Sequence, residues 1–280
     1  MIEIYKQLTH IIENESYEEL QNLKITKPEY FNWVHEIFEG IHVKERPNKA
    51  ALIWTDGSET VYYTYQNLMD KCNQLLNFLR EKGVKKDDII LTQLLLQPIN
   101  WYATLATIKG GFCMIPTATI MGPNDLAFRF GKTLPKVVIS DSDNAYKTDE
   151  AEEKLGIKIA VKIICDGHRP GWYSLQDIEN MDTNADYETT KADDNLFMFF
   201  TSGTTGMPKI VCHTHFTHPV GHLSTTAWIG IKKDDIHYNI SQPGWAKFAW
   251  SSFFAPWNVG ATIFAYHTTQ RFHAQTTLKL

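Results

Sequence analysis

Phe199-Phe200-Thr201-Ser202-Gly203-Thr204-Thr205-Gly206-Met207-Pro208-Lys209 decides how the chain is read. The apolar run 196–200 that leads into it has the composition of a buried strand. It gives way to four hydroxyl residues (Thr201, Ser202, Thr204, Thr205), two glycines (Gly203, Gly206), Pro208 and Lys209. Glycines let backbone N–H groups come close to a ligand. Successive N–H groups in such a loop make a concave anion nest. The hydroxyls add donors for phosphoryl oxygens, and Lys209 adds a compact positive charge. A polyphosphate is the guest that suits this set. The spacing is not that of the Walker loop, because Lys209 follows Gly206 by three residues with Pro208 between them. A ligand-free surface turn and a generic sulfate loop are the simpler readings. A buried strand leading into the whole run argues against both.

On either side of this loop the pattern alternates between strand and helix. Thr64 is an N-cap, and Leu68, Cys72, Leu75 and Leu79 follow on one helix face, with Gly83 as the stop. Residues 89–96 form an apolar strand, 99–109 a helix ending at Gly110-Gly111, and 112–116 a short strand. Further strands are expected at 136–140 and 158–165, with an acidic helix at 148–155 between them. Ser174 and Asp177 open a short helix in the manner of a capping box. This order predicts an α/β fold of mostly parallel sheets flanked by helices. The expected organisation is a helical extension over 1–50, a first α/β subdomain over 51–181, a polar linker over 182–195, and a partial second α/β subdomain over 196–280 that carries the loop.

Composition narrows the function. The chain has 280 residues, 43% of them hydrophobic and 21% charged, which is a globular balance. A net charge of −5 speaks against nucleic-acid binding through a basic surface. Cys72, Cys113, Cys165 and Cys212 are too widely spaced for a CxxC zinc ribbon and read as free thiols. There is no signal-peptide pattern and no apolar run long enough to span a membrane, so a cytoplasmic address is expected. After Asp235 no acidic residue occurs, while aromatic residues are dense. A strand-like run at 261–265 near this aromatic end calls for cover, and the chain is expected to be an N-terminal fragment of a longer protein. The competing reading is a complete 280-residue fold with that segment in its core.

Residues 201–209 resemble the phosphate-binding loop of the adenylate-forming (AMP-binding) superfamily of acyl-CoA synthetases, luciferases and peptide-synthetase adenylation domains. Residues 63–68 and 105–112 resemble two earlier segments of that family. Gly244-Trp245-Ala246-Lys247-Phe248-Ala249-Trp250-Ser251-Ser252, with Pro256-Trp257, is most similar to the medium-chain acyl-CoA synthetase branch. The similarity covers roughly residues 30–280. It implies part of the layered αβαβα large N-terminal domain of that family, with the small C-terminal domain absent.

The activity it implies is an ATP-dependent acid–thiol ligase. A carboxylate attacks the α-phosphate of ATP, giving an acyl-adenylate and pyrophosphate, and the thiol of CoA then attacks the acyl carbon. The resemblance assigns Thr201, Ser202, Gly203, Thr204, Thr205, Gly206 and Lys209 to the ATP phosphates, and Thr204 to the vicinity of magnesium. It assigns Trp245, Lys247 and Trp250 to an acyl pocket for a medium-chain fatty or related acid. The family's adenine and ribose contacts and its catalytic lysine are not found in 1–280, so weak nucleotide binding and incomplete turnover are expected. An unpaired sheet edge would favour a homodimer or aggregation.

Other readings stand beside these. Trp245 and Trp250 could instead be ordinary core aromatics, and Lys247 could face solvent, but the resemblance favours pocket lining for the two tryptophans. An amino-acid or aryl-acid adenylating enzyme is the alternative within the superfamily, though no carboxylate follows Asp235 to meet a substrate amine. A non-catalytic, nucleotide-responsive interaction protein is the alternative outside it. A membrane-surface module is disfavoured because the aromatic end lacks a basic face. His213, His215, His218 and His222 cluster after the loop and fit packing better than a transition-metal site.

Overall fold

In the computed structural model, which describes residues 1–201, 208–270, 274–277 and 279, eleven strands form two sheets. The strands are β1 Ala50–Thr55, β2 Thr60–Thr64, β3 Ile89–Gln93, β4 Cys113–Pro116, β5 Val137–Ser140, β6 Val161–Ile164, β7 Tyr173–Ser174, β8 Asn195–Thr201, β9 Lys209–Thr214, β10 Ile236–Tyr238 and β11 Thr262–Tyr266. The larger sheet runs β7-β6-β5-β3-β4-β8-β9, parallel except for the β8–β9 hairpin. The smaller runs β10-β11-β1-β2, with only β2 antiparallel to its neighbour. The mostly parallel α/β class therefore holds.

The helices named below are α1 Ile2–Glu13, α2 Tyr65–Glu81, α3 Ile99–Lys109, α4 Pro123–Thr133, α5 Ala145–Leu155, α6 Gln176–Glu179, α7 Thr217–Gly221, α8 Leu223–Ile229 and α9 Ala246–Ala249. α2 starts where the Thr64 cap places it: Thr64 Oγ1 accepts from Asn67 N at 3.1 Å, and Asn67 Oδ1 returns the bond to Thr64 N at 3.2 Å. All eleven residues of α3 are buried, its polar ones included: Thr104 Oγ1 donates to Asn100 O at 2.7 Å and Thr107 Oγ1 to Ala103 O at 2.8 Å. α2 and α3 pack with residues of both sheets in one core. α4 and α5 cover the other face of the larger sheet, where Leu126 and Phe130 meet Leu91, Ile115 and Val138.

Of the expected boundaries that move, two have a shared cause in Asp141. The strand expected over 89–96 stops at Gln93, because Asp141 Oδ2 accepts from Leu95 N at 2.6 Å and draws the chain out of the ladder. The helix expected from Thr148 starts at Ala145, because Asp141 also caps its entry, accepting from Asn144 N at 3.0 Å.

Strands from both sides of 182–195 enter each sheet, so that segment does not separate one sheet from the other. It crosses the polar face of α2, whose side chains donate to its carbonyls: Asn73 to Thr183 at 2.7 Å, Asn77 to Asp182 at 2.9 Å and Arg80 to Asp186 at 2.8 Å. Residues before β1 also enter the core. The π-helical segment Val34–Val43 buries Phe38 against Trp257 with ring centroids 4.9 Å apart, and Trp33 Nε1 donates to Asn258 Oδ1 at 3.2 Å. Among the described residues no helix is long and apolar enough to cross a membrane.

Candidate functional site

β8 runs parallel to β4, and the hairpin with β9 pairs Phe200 with Ile210 and Thr201 with Lys209. The two ends of the hydroxyl- and glycine-rich loop are therefore held side by side at the carboxyl end of a parallel strand. Open α/β sheets bind ligands at that end. Thr201 Oγ1 donates to Lys209 O at 3.5 Å, and both residues are exposed. Ser202, Gly203, Thr204, Thr205 and Gly206 lie outside the described residues.

β8 divides two environments. Met198 and Phe200 face α4 and its core. Phe197 and Phe199 face the histidines that follow β9. His218 is the hub there: its ring lies 4.9 Å from His213, 4.6 Å from His222, 4.8 Å from Phe197 and 5.3 Å from Phe254. Burial drives the His218 pKa well below its ordinary value and takes His222 down to about 4. His215 is fully buried with neither ring nitrogen hydrogen-bonded among the described residues, and burial lowers it to about 4. At neutral pH these imidazoles are uncharged packing groups. Among the described residues no three His, Cys, Asp or Glu side chains converge on a metal position.

The segment around Trp245 meets the larger sheet at the end of β4. Gly244 has φ +87°, and a Cβ there would stand 2.2 Å from Ala118 N. Only glycine allows this approach. It sets Trp245, 56% exposed, at the mouth of a narrow cavity walled by Thr92, Asn100, Thr104, Met114, Phe197 and Phe248. Lys247 and Trp250 are not part of that wall. Lys247 is exposed, and Trp250 is half-buried with its ring stacked on His222 at 5.7 Å. Of the three residues expected in one pocket, Trp245 alone borders this cavity. The short helix α9 begins at Ala246 and passes into a π-helical turn at Trp250–Phe254, so Trp250 rotates onto the histidine side.

Three contributors were not foreseen. Asn100 and Thr104 project from α3 into the cavity, at positions where sequence periodicity marks only a buried helix. Arg129 sits on α4 between Leu126 and Phe130, with its guanidinium carbon 4.4 Å from the centre of the Phe200 ring. The signal for it was present: a charged residue on an otherwise apolar helix face.

The chain belongs to the AMP-binding enzyme family, whose model matches residues 41–280. It is 44% identical over 235 residues to 4-hydroxybutyrate–CoA ligase 1 of Metallosphaera sedula, a match covering 83% of this chain and 41% of that protein. It is 32% identical over 275 residues to the mitochondrial acyl-coenzyme A synthetase ACSM3 of Mus musculus, covering 94% of this chain and 47% of that one. The chain thus spans about half the length of these relatives. Among solved structures, the anthranilate CoA ligase AuaEII in complex with anthranoyl-AMP superposes with a TM-score of 0.81 at 20% identity, over 89% of this chain and 47% of that one. Acetoacetyl-CoA synthetase from Streptomyces lividans superposes with a TM-score of 0.76 at 22% identity, over 85% of this chain and 38% of that one. At these identities the two structures speak for the fold alone.

Proposed function

We propose that residues 1–280 form the phosphate-binding half of an ATP-dependent, AMP-forming acyl-CoA synthetase. The observation that carries this reading is the β8–β9 hairpin, which holds Thr201 and Lys209 opposite each other at the two ends of the loop. A carboxylate is a weak nucleophile, so the reaction depends on alignment and on neutralising the charge of the departing pyrophosphate. In this reading the loop residues Thr201–Gly206 wrap the β- and γ-phosphates, and Lys209 offsets their charge. Magnesium would enter with ATP as part of the substrate, and Thr204 is the hydroxyl residue that the family resemblance assigns to its vicinity. CoA is the second co-substrate. No carboxylate is ion-paired to Lys209 among the described residues, which leaves its charge free for an anion.

The acyl substrate in this reading is an aliphatic acid of short to medium length, entering beside Trp245. The relative named for 4-hydroxybutyrate supports the short end. Thr92, Asn100 and Thr104 line the narrow cavity beside Trp245, where the Asn100 amide donates to Leu95 O and Gln97 O and the Thr104 hydroxyl to Asn100 O. A cytoplasmic, reducing setting fits four free cysteines, two of them buried. A homodimer would use the exposed β9 edge.

The test is calorimetry of ATP on this chain with and without magnesium, alongside an acyl-adenylate assay with octanoate and 4-hydroxybutyrate. Magnesium-dependent ATP binding is the expected result. A chain that binds no ATP under either condition overturns the reading. Adenylate formation with neither acid is expected, and adenylate formed by the chain alone would overturn the view that it is only half of a site.

A further inference from the structure

Helix α4 carries an unexplained charge. Arg129 is 7% exposed, between the fully buried Leu126 and Phe130. Its Nε is buried with no hydrogen-bond partner, and no ion pair within 4.0 Å joins it to a carboxylate, among the described residues. The nearest acid on its own helix, Asp125, is engaged elsewhere: its Oδ2 accepts from Gly122 N at 3.0 Å and closes the N-terminal cap of α4. Burial accordingly holds the guanidinium below its usual pKa, with Asp125 pulling weakly the other way.

Arginine keeps its charge in proteins, so burial cannot be relieved by losing a proton. Among the described residues the guanidinium packs on the face of Phe200, 4.4 Å away, which Phe128 meets edge-on at 6.1 Å. A cation–π contact recovers only part of the hydration that a buried charge gives up. Elsewhere this chain pairs its half-buried cations: Lys162 meets Asp149 at 2.8 Å and Glu152 at 2.6 Å, and Lys86 meets Asp194 at 2.7 Å. Arg129 alone among the buried arginines and lysines lacks a partner in the described residues, since Lys109, the other one, reaches Asn73 and Glu39. Phe200 is the penultimate residue of β8, next to Thr201 and across from Ile210, one pair below Lys209.

We infer that Arg129 is a binding residue for a phosphate group of an anionic co-substrate, seated against Phe200 at the root of the loop. A planar guanidinium with free N–H groups matches a phosphate through paired hydrogen bonds. The missing counter-charge is then the ligand's own, and the site stays destabilised until the ligand arrives. This rests on the reading of the chain as part of an ATP- and CoA-using ligase. The phosphate belongs either to ATP or to CoA, and the test separates the two.

The 280-residue chain, its Arg129→Met and Arg129→Lys variants, and Lys209→Met are titrated by calorimetry with magnesium-ATP and, separately, with CoA. Each is also unfolded in urea without ligand. Arg129→Met is expected to weaken binding of one of the two ligands by about tenfold or more, with part of the loss restored in Arg129→Lys. Without ligand, Arg129→Met is expected to unfold at the same or a higher urea concentration than the parent, because a buried unpaired charge has been removed. Loss from the ATP titration assigns the phosphate to ATP, and loss from the CoA titration assigns it to CoA. Unchanged affinity for both overturns the inference. Equal loss of affinity and of stability in both Arg129 variants also overturns it, since that is the behaviour of a packing brace. A weakened Lys209→Met beside an intact Arg129→Met overturns this inference and leaves the proposed function standing. A parent chain that binds neither ligand overturns both.

Discussion

α3 and β9 belong to the same layered fold and have opposite fates. Every residue of α3 is buried, down to Lys109, whose ammonium reaches Asn73 Oδ1 at 2.9 Å and Glu39 Oε1 at 3.2 Å. The first four residues of β9 are exposed, and the strand closes one edge of the larger sheet. One element is surrounded by protein, and the other keeps a face for something else. The contrast separates scaffold from site. Substitution of Trp101 in α3 is expected to act on folding, and substitution of Lys209 at the start of β9, under the proposed function, on binding.

The largest effect is expected at the scaffold. Trp101 is fully buried in α3 and donates from Nε1 to Ser252 O at 2.8 Å. Trp101→Ala is expected to cost about 3–5 kcal/mol in urea unfolding. A loss below about 1 kcal/mol would break the contrast.

Acid is the next lever, acting on the histidine side of β8. The folded His215 sits at about 4 and an unfolded histidine near 6.5. The unfolded chain therefore binds the extra proton between those values, and stability falls as pH drops from 6.5 to 4. For His215 alone the loss is roughly 3 kcal/mol, with Asp194 opposing it and Lys86 adding to it. Urea midpoints from pH 7 to pH 4 measure it, and His215→Gln is expected to flatten the slope.

Gly244→Ala is expected to cost about 2–3 kcal/mol, from the positive φ and the collision with Ala118. Thermal unfolding reads that cost. If the variant also loses no binding of a short-chain acid, the cavity beside Trp245 is not the acyl entrance. The smallest effect on folding is expected at the site itself. Lys209→Ala should change stability by less than about 0.5 kcal/mol, since the side chain is exposed. It should weaken ATP binding about tenfold, or roughly 1.4 kcal/mol. Equal ATP affinity in Lys209→Ala would remove β9 from the site.

The same contrast explains what the sequence disclosed. The bounds of α3 were legible to the residue, since Pro98 and Gly110-Gly111 bracket a mostly apolar run. The α2 cap was legible because its partners lie three residues apart. The strand leading into the loop was legible from composition, and the loop from its hydroxyls, glycines and lysine, whereas the returning strand β9 was not foreseen. What escaped is non-local. β11 inserts beside β1, more than 200 residues away, in a register of Leu52 with Ile263 that no local pattern encodes. Trp250 was expected beside Trp245, but a change of helical pitch between them turns it onto His222. Arg129 meets Phe200 only because α4 folds over β8, a contact between residues 71 positions apart.

The passage of 182–195 over α2 has a consequence of its own. Its anchors are side-chain amides and a guanidinium gripping carbonyl oxygens, with Asn77 alone holding those of Asp182 and Asn184. Carbonyls are tied down while most amide hydrogens of 182–187 have no protein acceptor among the described residues; Asn184 N, bonded to the side chain of Asp182, is the exception. Two probes that ordinarily agree should part company here. Deuterium should enter these amides quickly, as it does in a loose loop, while a protease that needs to lift the strap from its helix finds nothing free to seize.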